Sequence, residues 1–293
     1  MQSRRTFLMA MVSAMALDPR EILAATKPNN FVGEAVFDRI VNKAVSEGWT
    51  KLPIGELMGK IALELKGTPY VANTLEISLD KEICSVNLNG LDCVTFFETT
   101  LDLARMLKKG KKTPKALLAE VAYTRYRGGR VGDYTSRLHY TTDWFYDNDK
   151  KRVVKLLSDL PGSQVFEQKV GYMSAHPDKY RQLSTHTEFV PSLKQQEDLI
   201  NSRSLKYVPM SKLADVEPLL QTGDIVGVAT SATGFDIAHT GLIFKDTEGV
   251  AHFMDASSGK AKMQVTIEPG PISKSLTWSK SLIGAMFARP LEP

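Results

Sequence analysis

The chain has 293 residues, of which 43% are hydrophobic and 24% charged, with a formal net charge of +4. That is enough apolar material for a buried core in one large domain or two small ones. Basic residues are spread along the chain except in "KKGKKTPK", Lys108–Lys115; this run reads as a solvated helix end and, with no aromatics clustered beside it, excludes a nucleic-acid footprint.

In chain order, the opening "MQSRRTFLMAMVSAMAL" joins Arg4 and Arg5 to an apolar run from Phe7 to Leu17. The run is too short to span a bilayer, so residues 1–25 read as an export signal. Ser3 before the arginine pair and Phe7-Leu8 after it resemble the twin-arginine type, although Met9 stands where a lysine is common. A general secretory signal is the alternative, and Ala14 with Ala16, or Ala24 with Ala25, offer cleavage points. Either route leads to a periplasmic protein that meets the membrane only through its signal.

Residues 26–66 are expected to hold two helices. Phe31, Val36, Ile40, Val41 and Ala44 have helical spacing that ends near Gly48. Ile54, Leu57, Met58, Ile61 and Leu65 form a second stripe between Pro53 and Gly67. "GTPYVANTLE" then reads as a turn and "EICSVNL" as a strand. From Asp92 the helical pattern returns with Val94, Phe97, Leu101, Ala104 and Leu107. Asp92 suits the N-cap, with its carboxylate accepting the N–H of Val94 or Thr95, which puts Cys93 in the first turn. Residues 108–220 lack a sustained period and read as an insertion of short helices and loops. The last quarter alternates as strands: "GDIVGVAT", "DIAHTGLIF", "VAHFMDASS" and "SLIGAMFARP", with a turn at "KDTEG". Helices followed by strands indicate an α+β fold, residues 67–293 forming one domain around the insertion.

A thiol at a helix N-terminus is favoured as a nucleophile by unpaired N–H groups and the macrodipole, but it needs a base and a group to orient that base. His239 sits within a core strand. If Phe244 opposes Val250 across the turn, His239 lies directly opposite Asp255, with Cβ atoms roughly 5 Å apart. His252 then faces the other side of the sheet. A slip of one residue turns Asp255 away and leaves His239 without a partner on that strand. Cys93, His239 and Asp255 are therefore the candidate catalytic set. The structural alternative is a Cys84–Cys93 disulfide in an oxidising compartment. The set lacks the close pairs of a metal motif, so no metal or other cofactor is expected.

The segments "GTPYVANTLE", "LDCVTFFE", "YTSRLHYTTDW", "GDIVGV", "DIAHTG" and "MDASS" resemble the N-acetylmuramoyl-L-alanine amidase-like family within the NlpC-type, papain-like cell-wall cysteine hydrolases. The likeness runs from about Gly67 to Pro290. It implies a papain-like core with Cys93 as nucleophile and His239 as base, Ala238 replacing the family's serine. At the third polar position the family has histidine where this chain has Asp255. Tyr70, in the G-T-P-Y motif, is implied near the nucleophile and in contact with substrate. Tyr134, Arg137, His139 and Trp144 are further candidates for a substrate wall, while Glu98, nearly two turns into the helix, reads as structural. The implied reaction is hydrolysis of the amide between N-acetylmuramic acid and L-alanine in peptidoglycan or muropeptides. Stem-peptide cleavage and thiol acyl transfer are the alternatives, and oligomeric state is not legible.

Overall fold

The computed structural model describes residues 29–293; the expected export signal lies outside them. The N-terminal part runs β1 (Phe31–Val32), α1 (Glu34–Ser46), α2 (Ile54–Leu65), β2 (Val86–Asn87), α3 (Cys93–Lys108) and α4 (Pro114–Arg125). The middle contributes α5 (Thr141–Lys150), β3 (Val154–Leu156), β4 (Gln164–Val165), α6 (Tyr172–Ala175), α7 (Arg181–Thr185), α8 (Val190–Asn201), β5 (Lys206–Pro209) and α9 (Leu213–Val216). The last part is β6 (Ile225–Thr230), β7 (Ile237–Lys245), β8 (Ala251–Ser257), β9 (Gln264–Ile267), α10 (Ile272–Ser275) and β10 (Leu282–Pro290). The fold is α+β.

The main sheet has the order β4-β5-β10-β6-β7-β8-β9, with β3 pairing β10, and its pairings are antiparallel. Both faces are buried. Ile225, Ala229, Leu242, Met254 and Ala256 join the core of α2 and α3. Val226, Val228, Ile243 and Phe253 join Leu213, Val216 and Ile272 on the opposite face. This is the two-residue period of a strand, doubled because each face has its own cover.

Helix α3 is buried from Thr95 to Leu107. It packs against α2, α4, β7 and β8, so its polar positions need partners inside. Glu98 accepts from Arg125 Nε at 2.8 Å and from Trp144 Nε1 at 2.9 Å, and Asp102 accepts from Thr124 Oγ1 at 2.9 Å. Burial, with Glu98 alongside, pushes the Asp102 carboxyl well above the usual range.

Two sequence expectations are corrected. The 108–220 region is no separate insertion: α4 packs on α3, while β3, β4 and β5 extend the main sheet. These strands are short, which is why no alternation stands out. The β7–β8 register also differs. Phe244 opposes His252, not Val250, and Lys245 opposes Ala251. The reason is the turn: Asp246 pairs with Val250 through its N–H, and its carboxylate accepts the N–H groups of Glu248 and Val250, closing a three-residue loop with Gly249 at φ +82°. This displaces the register by two residues, and an even shift keeps each side chain on its face.

Candidate active site

The nucleophile candidate owes its position to a capping box. The Asp92 carboxylate accepts the Thr95 N–H at 2.7 Å, and the Thr95 hydroxyl accepts the Asp92 N–H at 2.8 Å. Half-buried Cys93 is therefore the first residue of α3. The chain leading to it is fixed as well, because Tyr70 bridges Leu91 in parallel and Pro69 bridges Gln264 in β9. This brings Tyr70 beside the thiol. Its phenol is pushed up by burial and by the charges of Cys93 and Asp92.

His239 stands at an irregularity. On the β6 side, Val228 pairs with His239 and Ala229 with Ile237, so Ala238 is a bulged residue. A bulge re-aims the side chains next to it. In the continued β7–β8 register Asp255 opposes Gly241, where a Cβ would lie 2.4 Å from the Met254 carbonyl oxygen. His239 nevertheless reaches Asp255: its Nε2–H donates to Oδ2 at 2.6 Å, with the histidine side chain 13% and the aspartate 4% exposed. Asp255 Oδ1 has no hydrogen-bond partner among the described residues.

Cys93 lies close enough to favour the protonated His239 ring. With Nε2 on Asp255, Nδ1 is the ring nitrogen left for another partner. Burial pulls the imidazole down, but the bond to Asp255 and the neighbouring Cys93 outweigh it and raise His239 to about 10. Cys93 thus lies beside the bonded His239–Asp255 pair, and the three form one row.

Cys84 does not join it. Both cysteines are free; Cys84 Sγ–H donates to the Leu118 carbonyl in α4 at 3.7 Å, and burial pushes its thiol up to about 11.

The four residues expected to form a substrate wall are turned inward, which corrects that expectation. Arg137 is 5% exposed and pairs with Glu76 and Glu82 at 3.3 and 3.2 Å while lying over the Tyr134 ring. Tyr134 is buried, with its hydroxyl toward Glu76. His139 donates Nε2–H to the Tyr134 carbonyl at 2.7 Å, and burial lowers its imidazole well below the ordinary range. Trp144 is edge-packed on Phe97 and bonded to Glu98. Arg137 and Tyr134 brace the loop after Tyr70, whereas Trp144 packs on α3.

Asp236 was not singled out by sequence. It is 4% exposed, and its Oδ2 accepts the Thr142 N–H and hydroxyl at 2.8 and 2.7 Å at the start of α5. Three residues before His239, it ties that helix to the strand carrying the imidazole. Its place in the "DIAHTG" motif was the available signal. Asp236→Ala is expected to lower stability by about 2 kcal/mol by stranding the Thr142 donors, measured by urea unfolding, with Asp236→Asn retaining most of it.

A cavity of about 470 Å³ opens beside the pair, lined by His239, Asp255, Lys260 and Trp278 among others. A larger one, about 750 Å³, lies between the start of α2 and the end of β10 over the Asp224–Arg289 ion pair, with no cysteine or histidine in its lining. Among the described residues, no group of three or more His, Cys, Asp or Glu is arranged to hold a metal, and no helix is long and apolar enough to cross a membrane.

A family model described as AmiA-like, N-acetylmuramoyl-L-alanine amidase-like, matches residues 60–272. The chain belongs to this family. Two crystal structures of an N-acetylmuramoyl-L-alanine amidase from Bacteroides uniformis, at 1.15 and 1.07 Å resolution, superpose with a TM-score of 0.74 each at 29% identity. In both, 81% of this chain is covered, with 98% and 99% of the respective neighbour. A Bacteroides fragilis protein provisionally named a xylanase is 30% identical with a TM-score of 0.71, over 80% of this chain and 99% of that one. A Legionella pneumophila protein shares the fold at 18% identity and a TM-score of 0.65, over 88% and 95% of the two chains. No curated protein matches the chain significantly. Family membership associates the protein with amide hydrolysis on peptidoglycan-related substrates.

Proposed function

We propose that the protein is an exported cysteine amidase of NlpC-type, papain-like architecture that hydrolyses the N-acetylmuramoyl–L-alanine bond of peptidoglycan fragments. The observation that carries this reading is the row Cys93–His239–Asp255 in a member of an amidase-like family. Cys93 Sγ, its proton passed to Nδ1 of His239, attacks the amide carbonyl carbon, and the resulting oxyanion faces N–H groups of the first α3 turn not consumed by the capping box. His239, oriented by Asp255, gives its Nδ1 proton to the departing amine as the C–N bond breaks, leaving a thioester on Cys93. Water then adds to the thioester with His239 accepting its proton, and the free acid and thiol are released.

The xylanase name of one neighbour has no counterpart in this row. Glycoside hydrolysis ordinarily needs two carboxyl groups flanking the sugar bond, about 5–9.5 Å apart, whereas Asp255 is committed to an imidazole.

Incubating the purified protein with defined muropeptides and weighing the products tests the proposal. Release of intact stem peptide and a free muramic acid carboxyl is expected, with Cys93→Ala slower by roughly 10⁴-fold or more. Cleavage inside the stem, acyl transfer to another amine, or undiminished turnover by Cys93→Ala would each refute it.

A further inference from the structure

The largest cavity lies at the other end of the sheet from the catalytic row. Lys245 closes β7, the strand in which His239 stands near the start. Lys108 at the last residue of α3, the helix that Cys93 opens, holds Glu292 in the cavity wall. That helix is about 24 Å long, so the cavity is remote from the thiol. Its volume of about 750 Å³ adjoins another of about 430 Å³ that runs along α2, and Glu56, Thr222 and Lys245 line both. Close backbone approach fixes the floor between them: a Cβ on Gly55 would lie 2.4 Å from the Thr222 carbonyl oxygen.

Charged groups at this junction have unspent bonding capacity. Buried Asp224 accepts from Nε and Nη2 of Arg289, each at 2.8 Å, and the Leu219 carbonyl accepts from Nη2 at 3.0 Å. The guanidinium is thereby held still, while its Nη1 has no partner among the described residues, which leaves a pre-oriented donor for a carboxylate. Lys245 Nζ donates to the Pro218 carbonyl at 3.3 Å and meets no carboxylate among the described residues. Glu56, exposed in the first turn of α2, has no cation partner among them either. Glu292 is already committed, since the Ile54 N–H and Lys108 hold its carboxylate. Lys245 and Glu56 therefore line the same two cavities with opposite charges and do not pair with each other. A simple anion entering here meets a carboxylate and a simple cation meets an ammonium, whereas a ligand carrying both charges satisfies both. Pro53, Leu219 and Pro290 supply an apolar wall beside them.

We propose that this junction is a second ligand site, separate from the catalytic row, that takes an α-amino acid group with its amine and carboxylate both free. The ammonium pairs with Glu56, the carboxylate with Lys245 and Arg289 Nη1, and an aliphatic side chain lies on the apolar wall. Such a group is offered by a free amino acid or by the outer end of a diamino acid in a wall peptide.

Titrating the labelled protein with leucine, N-acetylleucine, leucinamide and diaminopimelic acid, and following the Arg289 Nε–H signal by NMR, tests the assignment. Leucine should shift that signal with millimolar affinity, the scale for so small a ligand. N-acetylleucine, without the ammonium, and leucinamide, without the carboxylate, should each bind about tenfold more weakly, the scale of one hydrogen bond to a charged group. Glu56→Gln should erase the difference between leucine and N-acetylleucine, and Lys245→Met that between leucine and leucinamide. Both side chains lie outside the core, so both variants should fold. Tighter binding of diaminopimelic acid than of leucine would assign the site to wall peptides, and equal binding to free amino acids. An unmoved Arg289 signal, equal binding of leucine and its two blocked forms, or indifference to both substitutions would overturn the site. Muropeptide cleavage without such binding would remove the site and leave the amidase; binding as described without cleavage would do the reverse.

Discussion

Asp255→Asn is expected to lower the pH at which His239 loses its proton and to cut turnover by roughly 10²–10⁴-fold. In the native protein His239 is raised to about 10, although burial alone would lower it, because Asp255, bonded to the ring, and the nearby Cys93 both favour the protonated form. Asparagine can fill the same space but has no charge, so one of the two supports disappears. The direction is fixed by linkage. With an unfolded histidine value of about 6.5, the native pairing contributes stability that is full below that pH and is lost as pH rises through about 10. The stability gap between wild type and Asp255→Asn should therefore be widest below pH ~6.5 and shrink toward pH 10. NMR titration of the His239 ring and unfolding measurements across that range check both. Cys93→Ala, which cannot turn over, should also titrate lower than wild type. An unchanged midpoint in both variants would mean that neither group supports the imidazole.

The second large effect concerns stability. Arg125→Met is expected to cost about 3–5 kcal/mol, because it leaves the Glu98 carboxylate buried without its cation. Glu98 is 1% exposed and Arg125 3%, and the guanidinium also donates to the Ser85 carbonyl at 2.8 Å. Removing it strands two acceptors, one on α3 and one just before β2. Glu98→Gln should retain an acceptor for Trp144 Nε1, and the double variant Glu98→Gln/Arg125→Met should recover part of the loss. Urea unfolding of the three variants measures the coupling directly. If the double variant were as unstable as Arg125→Met, the ion pair would not be the source.

What could be read from the sequence follows how local each determinant is. Asp92 as a cap and Cys93 as the first helical residue depend on neighbours three positions apart, and both are visible in the string "LDCVT". The common face of His239 and Asp255 survived an error in register because the slip was even; the strand period was legible, whereas the Asp246-organised loop was not. Arg137 and Trp144 looked like a substrate wall because polar and aromatic residues in an aperiodic stretch carry no sign of direction. Their partners, Glu76, Glu82 and Glu98, lie far away in the chain. Trp278 sits in "SKSLTWSK", a serine- and lysine-rich stretch with no period to mark it. Only its stacking on Phe253 and its edge-on contact with the His239 ring place it beside the imidazole.

The strand order has a consequence for biosynthesis. β10 is synthesised after every other strand, yet it lies between β5 and β6 and also carries β3. While the ribosome is still making it, β3, β4 and β5 have no place to dock, and the β6–β9 meander has an open edge. The pairing of Met286 and Phe287 with Gly227 and Val226 closes that edge late. A chain stalled short of residue 282 would present β6, with its run "IVGVAT", as an unpaired apolar strand. Such nascent chains should depend on a chaperone and aggregate without one.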